Sequence, residues 1–319
     1  MTSGGSTPLA QARAVRFDRY GGREVLSVRD IPRPRPGPGE VLVEVRAAGI
    51  NPGEALIRSG VLHELLPGTF PSGEGTDFAG VVLETGTGVA DIGVGDAVLG
   101  YAWNRSSHAT HTVVPVTQLI AKPDALAWEV AGALDVAGTT AVAVVRAAAP
   151  APGEVVAVSA ATGGVGALVV QLLVRRGATV VGIASAASAK WLTDHGATAV
   201  EYGDGISERL RSAAPNGIDA FIDLFGPEYV RLAVDLGVET QRIKTIVFSP
   251  AATELGVQVA GAASLADSEI LAVLSELADL LASRAIDLPI AATYPLDRVS
   301  DAFEQLERRH TLGKIVLLP

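Results

Sequence analysis

The hydrophobic positions divide the chain into two regions with different periodicities. Up to about Pro123, short runs alternate apolar and polar residues between glycines and prolines, a pattern typical of antiparallel strands. From Trp128 onward, short continuous apolar runs alternate with helical periodicity, which predicts βαβ units on a parallel sheet. The predicted elements of this second region are the strands Val155–Ser159, Thr179–Ile183, Ala199–Glu201, Ala220–Leu224, Ile243–Phe248 and Val257–Ala260, then the helices Ser268–Ser283 and Asp297–Arg308, and a strand Lys314–Leu318.

The first βαβ unit carries a glycine-rich junction. The long apolar run Val155–Ile183 is interrupted at Thr162, Gly163, Gly164, Val165 and Gly166, and helical spacing begins after it. The run is therefore a strand, a turn, a helix and a second strand, and not a membrane span. Glycines at such a junction allow a pyrophosphate to approach the positive N-terminus of the helix, although a tight turn without a ligand has the same pattern. This context predicts a dinucleotide site at the carboxyl ends of the strands.

The end of the second strand indicates which dinucleotide binds. Sites that prefer NAD place an acidic residue about 20 residues beyond the glycines, where it binds the ribose 2′-hydroxyl. The segment Ile183–Lys190 contains no carboxylate and instead offers Ser185, Ser188 and Lys190, which favours the 2′-phosphate of NADPH. The two serines could also cap the following helix.

Composition and charge narrow the function further. Hydrophobic residues make up 48% of the 319 residues, as expected of a globular protein, and the net charge of −10 argues against nucleic acid or an anionic membrane as a partner. There is no cysteine, and among the five histidines only His108 and His111 have a spacing that could suit a metal, without a third ligand. We therefore expect no metal site. The segment Met1–Ala14 lacks the apolar run of a secretory signal, so a cytoplasmic protein is expected.

A series of short motifs along nearly the whole chain resembles the medium-chain dehydrogenase/reductase superfamily, in its zinc-free quinone oxidoreductase (ζ-crystallin-like) branch of NADP-dependent enzymes. The motifs are Gly37–Val43, Ala48–Pro52, Gly75–Val82, Val94–Val98, Ala137–Ala141, the glycine turn and Thr311–Val316. The resemblance implies an α/β fold in which a Rossmann doubly wound parallel sheet is inserted in a GroES-like β-barrel domain. The domains expected are 1–124 (GroES-like catalytic domain, first part), 125–261 (NADP-binding Rossmann domain) and 262–319 (C-terminal completion of the catalytic domain), with the active site in the cleft between them.

The resemblance also implies roles for individual residues. In addition to the glycine turn and Ser185, the cofactor contacts that it implies are Asn51, Thr140, Lys190, Tyr202, Val247, Phe248 and Arg309. Asn51 stands where zinc-dependent relatives place a metal-binding cysteine, and Thr140 is implied to open the helix beneath the cofactor, so both are the candidate catalytic residues. Alternatives remain open, because Thr140 could be a helix cap, Tyr202 a surface aromatic residue and Arg309 a solvated charge at a helix end.

The chain departs from the family pattern around the expected active site. Many enoyl reductases of the superfamily have a tyrosine after an Arg-Ser-Gly segment, where this chain has Val61-Leu62-His63, and the usual proline before Val136 is Asp135. His63 could replace the missing acid, or be an exposed loop residue. Tyr101 and Trp103 are candidate walls of the substrate pocket, or else residues of the barrel core.

The resemblance, together with the absence of a carboxylate after the second strand, implies an NADPH-dependent reductase that transfers hydride to a quinone or an α,β-unsaturated carbonyl. A reductive tailoring or cyclisation enzyme of a biosynthetic pathway and a non-catalytic NADPH-binding protein are the alternatives. The partner expected is a small-molecule substrate. The resemblance implies a homodimer that pairs the last strand of the Rossmann sheet, for which Gly256–Ala260 is the candidate, and an apolar edge of this kind is an aggregation hazard when uncovered.

Overall fold

The computed structural model describes residues 11–308 and 311–319, which form two compact units. Unit 1 combines residues 11–133, 292–307 and 315–319, and unit 2 comprises residues 134–291 with 308 and 311–314. Unit 2 therefore interrupts the sequence of unit 1. No helix of the described segments combines the length and the apolar character needed to cross a bilayer.

The elements follow one another in three stretches. The first contains β1 (Gln11–Phe17), β2 (Ser27–Pro32), β3 (Glu40–Gly49), α1 (Pro52–Arg58), β4 (Ser72–Gly73), β5 (Asp77–Thr85), β6 (Ala97–Tyr101), β7 (His111–Pro115), β8 (Leu119–Ala121) and α2 (Trp128–Ala131). The second contains α3 (Asp135–Ala148), β9 (Val155–Val158), α4 (Gly164–Arg175), β10 (Thr179–Ala184), α5 (Ala189–Asp194), β11 (Ala197–Glu201), α6 (Ile206–Ala213), β12 (Ala220–Asp223), α7 (Pro227–Asp235), β13 (Ile243–Thr245), α8 (Pro250–Glu254), β14 (Gln258–Val259) and α9 (Asp267–Ala282). The third contains β15 (Ile290–Pro295), α10 (Val299–Glu307) and β16 (Lys314–Leu318).

Unit 2 is built on a parallel sheet with the strand order β11-β10-β9-β12-β13-β14. This is the 3-2-1-4-5-6 order of the Rossmann fold, in which the order reverses beside the first strand. Its strands are short and apolar because both faces are covered, and Phe221 and Ile243 in the neighbouring strands β12 and β13 are fully buried. The predicted doubly wound sheet is thus confirmed.

Two strands of unit 2 are shorter than predicted, and the unit itself ends later than predicted. The strand predicted over Ile243–Phe248 ends at Thr245, because the side-chain Oγ1 of Thr245 accepts a hydrogen bond from Val247 N at 3.0 Å and turns the chain. The edge strand predicted over Val257–Ala260 is reduced to Gln258–Val259. Unit 2 also extends beyond the predicted boundary at 261, since α9 packs on α3 through buried side chains such as Leu277.

Unit 1 consists of antiparallel sheets. In the described residues, one has the order β2-β1-β4 and the other the order β15-β16-β3-β5-β6-β8, with β7 also paired to β3. The long strand β3 places alternate valines in the core, where Val41, Val43 and Val45 pack with Phe78 of β5. Strand β15 was not predicted, because its alternating half-buried residues form only a weak apolar pattern.

Candidate active site

The glycine turn joins β9 to α4 in unit 2, as predicted. Ala160 adopts a positive φ of 45°, and Gly163 is the N-cap of α4 with no side chain to bond the first turn. The N-terminal N–H groups of α4 therefore have no capping side chain at this position, and they carry the partial positive charge of the helix. Thr162 contributes its carbonyl oxygen, which accepts a hydrogen bond from Gly313 N at 2.8 Å.

The glycines of this turn serve two different purposes. A Cβ on Gly166 would stand 2.2 Å from the carbonyl oxygen of Ala160, so this glycine permits close packing of helix and strand. A Cβ on Gly163 would meet only the Ala160 oxygen, at 3.4 Å, and its other side is open. Gly163 is thus the glycine of this turn whose missing side chain leaves open space beside the N-terminus of α4.

Ser185 follows the end of β10 and begins the loop that was predicted to select the dinucleotide. The hydroxyl oxygens of Ser185 and Ser188 are 3.1 Å apart, and neither makes a side-chain cap of the helix that follows it. Tyr202 is 39% exposed, and its N–H donates a hydrogen bond to the carbonyl oxygen of Ala184, the last residue of β10, at 3.3 Å. Lys190 forms an exposed ion pair with Asp194 at 2.8 Å, and such surface pairs contribute little to stability.

Asp223, at the end of β12, is a buried carboxylate that the sequence analysis missed. It is fully buried and accepts hydrogen bonds from Ser159 Oγ and from Thr245 Oγ1, each at 2.7 Å. Burial raises the pKa of Asp223, and the hydrogen bonds that it accepts oppose this shift. An aspartate at the end of an apolar strand is a usable signal, but its hydrogen-bond partners lie at the ends of two other strands.

The other predicted cofactor contacts of unit 2 have different surroundings. Thr140 does not open its helix: α3 begins at Asp135, so Thr140 lies within the helix and is not a cap. Val247 and Phe248 form the loop after β13, where Val247 is half-buried and Phe248 is 76% exposed. Arg309 lies outside the described residues.

Asn51 of unit 1 is the N-cap of α1 and is buried. Its backbone N–H donates to Glu54 Oε2 at 2.9 Å, and its side-chain Nδ2 lies 3.2 Å from Asp77 Oδ2 and 3.4 Å from Glu54 Oε1. The amide nitrogen is thus directed at carboxylates, which fixes the orientation of the side chain. Glu54 and Asp77 supply these carboxylates.

Next to Asn51 lies a cluster of buried charges that the sequence analysis did not foresee. Arg58 donates to Glu74, both side chains are 1% exposed, and the guanidinium lies 4.3 Å from the centre of the Phe303 ring. Burial raises the pKa of Glu74 to about 7 against the opposing charge of Arg58. Burial lowers the pKa of His108, whose Nε2 is 3.1 Å from Gly49 O and 3.8 Å from Glu54.

The predicted substrate-side residues of unit 1 differ in burial. His63 is exposed, and its Nδ1 is 2.9 Å from the hydroxyl of Tyr20, which also accepts a hydrogen bond from Gly68 N. Tyr101 is 4% exposed at the end of β6, whereas Trp103 is 61% exposed. The centroids of the two rings are 5.5 Å apart in a T-shaped arrangement. The alternative that both rings complete the core therefore holds for Tyr101 and not for Trp103.

His108 and His111 do not form a metal site together. His108 is buried beside Gly49, while His111 lies in β7 with its Nδ1 2.9 Å from Thr110 Oγ1. Across residues 11–308 and 311–319, no three His, Cys, Asp or Glu side chains are grouped so that they could hold a metal ion.

Comparison with known proteins identifies the family. The profile described as "Alcohol dehydrogenase GroES-like domain" matches residues 37–151, and the one described as "Zinc-binding dehydrogenase" matches residues 188–317. The human synaptic vesicle membrane protein VAT-1 homolog is 30% identical over 96% of this chain and 86% of its own length. The chain belongs to the medium-chain dehydrogenase/reductase superfamily.

Two solved structures show the same fold over almost the whole chain. The quinone oxidoreductase from Coxiella burnetii is 28% identical, with a TM-score of 0.86, and the match spans 97% of this chain and 100% of that one. Mycobacterial Rv1454c, solved in complex with NADPH, is 27% identical, with a TM-score of 0.84 and the same coverage. The predicted family and the Rossmann and GroES-like fold are confirmed, and the chain is an NAD(P)-dependent oxidoreductase.

Proposed function

We propose that this medium-chain dehydrogenase/reductase is a zinc-independent, NADPH-dependent reductase that transfers hydride to a quinone or to the β-carbon of an α,β-unsaturated carbonyl. The observation that carries the choice of NADPH is the end of β10, where Ser185 and Ser188 present hydroxyls and no acidic residue occurs between Ala184 and Lys190. A carboxylate would repel the 2′-phosphate there, and hydroxyls bind it.

The residues of unit 2 fit the cofactor. Gly163 leaves its position open to the pyrophosphate at the N-terminus of α4, and Ser185 and Tyr202 lie at the end of β10, with Lys190 in the following helix α5, as expected for the adenosine end. When bound, NADPH supplies the hydride and its two electrons. We assign contacts with the nicotinamide to Thr140 and to the loop of Val247 and Phe248, and a contact with the 2′-phosphate to Arg309.

Zinc independence is supported by the surroundings of Asn51. Its amide, which is a poor metal ligand, stands between two carboxylates that it already contacts, and the chain has no cysteine. We assign to Asn51 the task of orienting the nicotinamide or the acceptor carbonyl by hydrogen bonding. Reduction also requires one proton, for which water or His63, paired with Tyr20, is the proposed source.

A turnover experiment separates this function from its alternatives. NADPH oxidation is followed with 1,2-naphthoquinone, 9,10-phenanthrenequinone and a panel of small enones, before and after dialysis against EDTA. Turnover that survives dialysis supports the proposal. Binding of NADPH without turnover favours a non-catalytic protein, and activity confined to larger polyfunctional substrates favours a tailoring enzyme. Loss of activity with loss of a stoichiometric metal would contradict zinc independence.

The preference for NADPH has its own test. NADPH should bind at least about tenfold more tightly than NADH, a difference of about 1.4 kcal/mol. Ser185→Asp should reverse this preference by placing a carboxylate where we expect the 2′-phosphate. Ser212→Asp adds the same charge at an exposed position of α6 and should leave both affinities unchanged. Equal affinities of the wild type for both nucleotides would refute the assignment.

A cytoplasmic homodimer remains part of the proposal. Strand β14 is the edge of the Rossmann sheet and pairs only with β13 among the strands of unit 2, so its other side offers backbone groups to a second copy. Light scattering at micromolar concentration should give the mass of a dimer, and a monomer mass would count against it.

A further inference from the structure

Three strands of the Rossmann sheet end around the buried carboxylate of Asp223. These are β9, β12 and β13, whose following loops begin the glycine turn, the segment from Leu224 to Gly226, and the segment with Val247 and Phe248. Ligands of doubly wound sheets bind outside the carboxyl ends of such strands. One side chain thus connects the loops that surround the proposed cofactor site.

The two oxygens of Asp223 serve different loops. Oδ1 accepts hydrogen bonds from Ser159 Oγ at 2.7 Å, Phe225 N at 3.0 Å and Gly226 N at 3.1 Å, which joins β9 to the loop after β12. Oδ2 accepts from Thr245 Oγ1 at 2.7 Å, at the end of β13. The carboxylate therefore holds the three strand ends through separate contacts.

An ionised carboxylate can only accept hydrogen bonds, so it determines the direction of the network. Because both hydroxyls donate to Asp223, their oxygens are available as acceptors: Ser159 Oγ accepts from Leu224 N at 2.8 Å, and Thr245 Oγ1 accepts from Val247 N at 3.0 Å. The conformation of the loop after β13 thus depends on Asp223 through one hydroxyl group.

We propose that Asp223 is a positioning residue for the reaction, which acts through Thr245 to hold the Val247 loop in the conformation that binds the nicotinamide end of the cofactor. This inference rests on the proposed function, because it takes the loop after β13 as a nicotinamide contact. Correct alignment of the nicotinamide governs the rate of hydride transfer, and a shift of this loop therefore affects both affinity and rate.

The test removes one branch of the network at a time. Thr245→Val deletes the hydroxyl and leaves Val247 N without this acceptor, while Thr245→Ser retains the hydroxyl. Asp223→Asn preserves an acceptor for Ser159 and the amides, but its NH2 group would face Thr245 and reverse that hydrogen bond. Thr139→Val is the matched control, because Thr139 is equally buried in unit 2 and its hydroxyl bonds only within α3, to Asp135 O.

We expect Thr245→Val and Asp223→Asn to raise the Kd for NADPH about tenfold, as for one lost hydrogen bond, and to lower kcat. The Kd for adenosine 2′,5′-bisphosphate, which lacks the nicotinamide half, should stay within about twofold of the wild type. Thr245→Ser should restore the wild-type values, and Thr139→Val should match them.

Each other outcome overturns the inference. A lower melting temperature of Thr245→Val with unchanged Kd and kcat would show that the network only stabilises the fold. Equal weakening of both ligands would show that it acts on the adenosine half as well. If the wild type itself fails to bind NADPH, the proposed function fails, and this result is distinct from any difference between variants.

Discussion

Gly163 and Gly166, two of the three glycines of the β9–α4 turn, allow packing and the proposed cofactor binding to be separated by single substitutions. In Gly166→Ala, the new Cβ would lie 2.2 Å from Ala160 O and 2.8 Å from the carbonyl carbon of Ala161. Both are backbone atoms, so helix and strand must move apart by about 1 Å. Overpacking of this kind costs about 1–3 kcal/mol, partly offset by the better helix propensity of alanine.

Gly163→Ala should behave in the opposite way. Gly163 has φ −70° and ψ 177°, which any residue adopts, and its Cβ would meet nothing closer than 3.4 Å. Loss of the glycine cap lowers the stability of the helix, whereas the lower entropy of the unfolded alanine variant raises the stability of the protein. The two contributions nearly cancel, so the free energy of unfolding should change by no more than about 0.5 kcal/mol. The added methyl group would instead displace the pyrophosphate, and one lost charge-assisted hydrogen bond of about 1.5–3 kcal/mol raises the Kd for NADPH by about tenfold to 150-fold.

The assays are thermal unfolding followed by circular dichroism and fluorescence titration with NADPH. Gly166→Ala should lower the melting temperature by a few degrees, and Gly163→Ala should leave it unchanged while weakening binding. If Gly163→Ala binds NADPH as the wild type does, the phosphate does not approach this turn and the cofactor site has been assigned wrongly. Equal destabilisation by both variants would refute the separation of roles.

Three further predictions concern unit 1. Asn51→Asp adds a third buried carboxylate beside Glu54 and Asp77, so denaturant titration should show a loss of about 2–3 kcal/mol at neutral pH that shrinks as the pH falls; an unchanged midpoint would contradict the described contacts. Because the pKa of Glu74 is raised from 4.5 to about 7 on folding, the folded state retains a proton that the unfolded state loses, and the free energy of unfolding should fall by about 3 kcal/mol as the pH rises from about 4.5 to 7. The Glu74→Gln variant should lack this decrease. If the free energy of unfolding has the same pH dependence in both proteins, Glu74 is not the group that titrates. Trp103→Ala should raise the KM for the acceptor without altering stability or NADPH affinity. Tyr101 must be tested as Tyr101→Phe, because Tyr101→Ala would empty a core position. An unchanged KM in both variants would show that these rings do not line the substrate pocket.

The elements that the sequence predicted well are those set by local pattern. The strands β9, β10, β12 and β16 and the helices α9 and α10 lie within about two residues of the predicted ranges, because continuous apolar runs and helical spacing arise within one segment. The glycine turn could be predicted equally well from the sequence, because Gly163 and Gly166 act within the loop that contains them. Thr140 was misplaced because its helix begins five residues earlier, at Asp135, without a capping side chain to mark the start.

The groups that were missed depend on contacts between distant segments. Arg58 and Glu74 are charged residues that would be assigned to the surface if taken singly, and only their pairing explains how both are buried. Asp223 likewise requires hydroxyl groups at the ends of two other strands, 64 and 22 positions away. A periodicity that spans one element contains no information about such partners.

The interrupted sequence of unit 1 has a consequence for biosynthesis. Strand β16 lies between β15 and β3 in the sheet, and Ile315 and Leu317 pack in one core with Val15 and Ile50 from the beginning of the chain. A ribosome therefore completes residues 134–291 before the strand that closes this core exists. Until translation reaches β16, the end of β3 at Ala48 and Gly49 lacks its neighbour, and the nascent chain exposes an open strand edge of the kind that molecular chaperones protect.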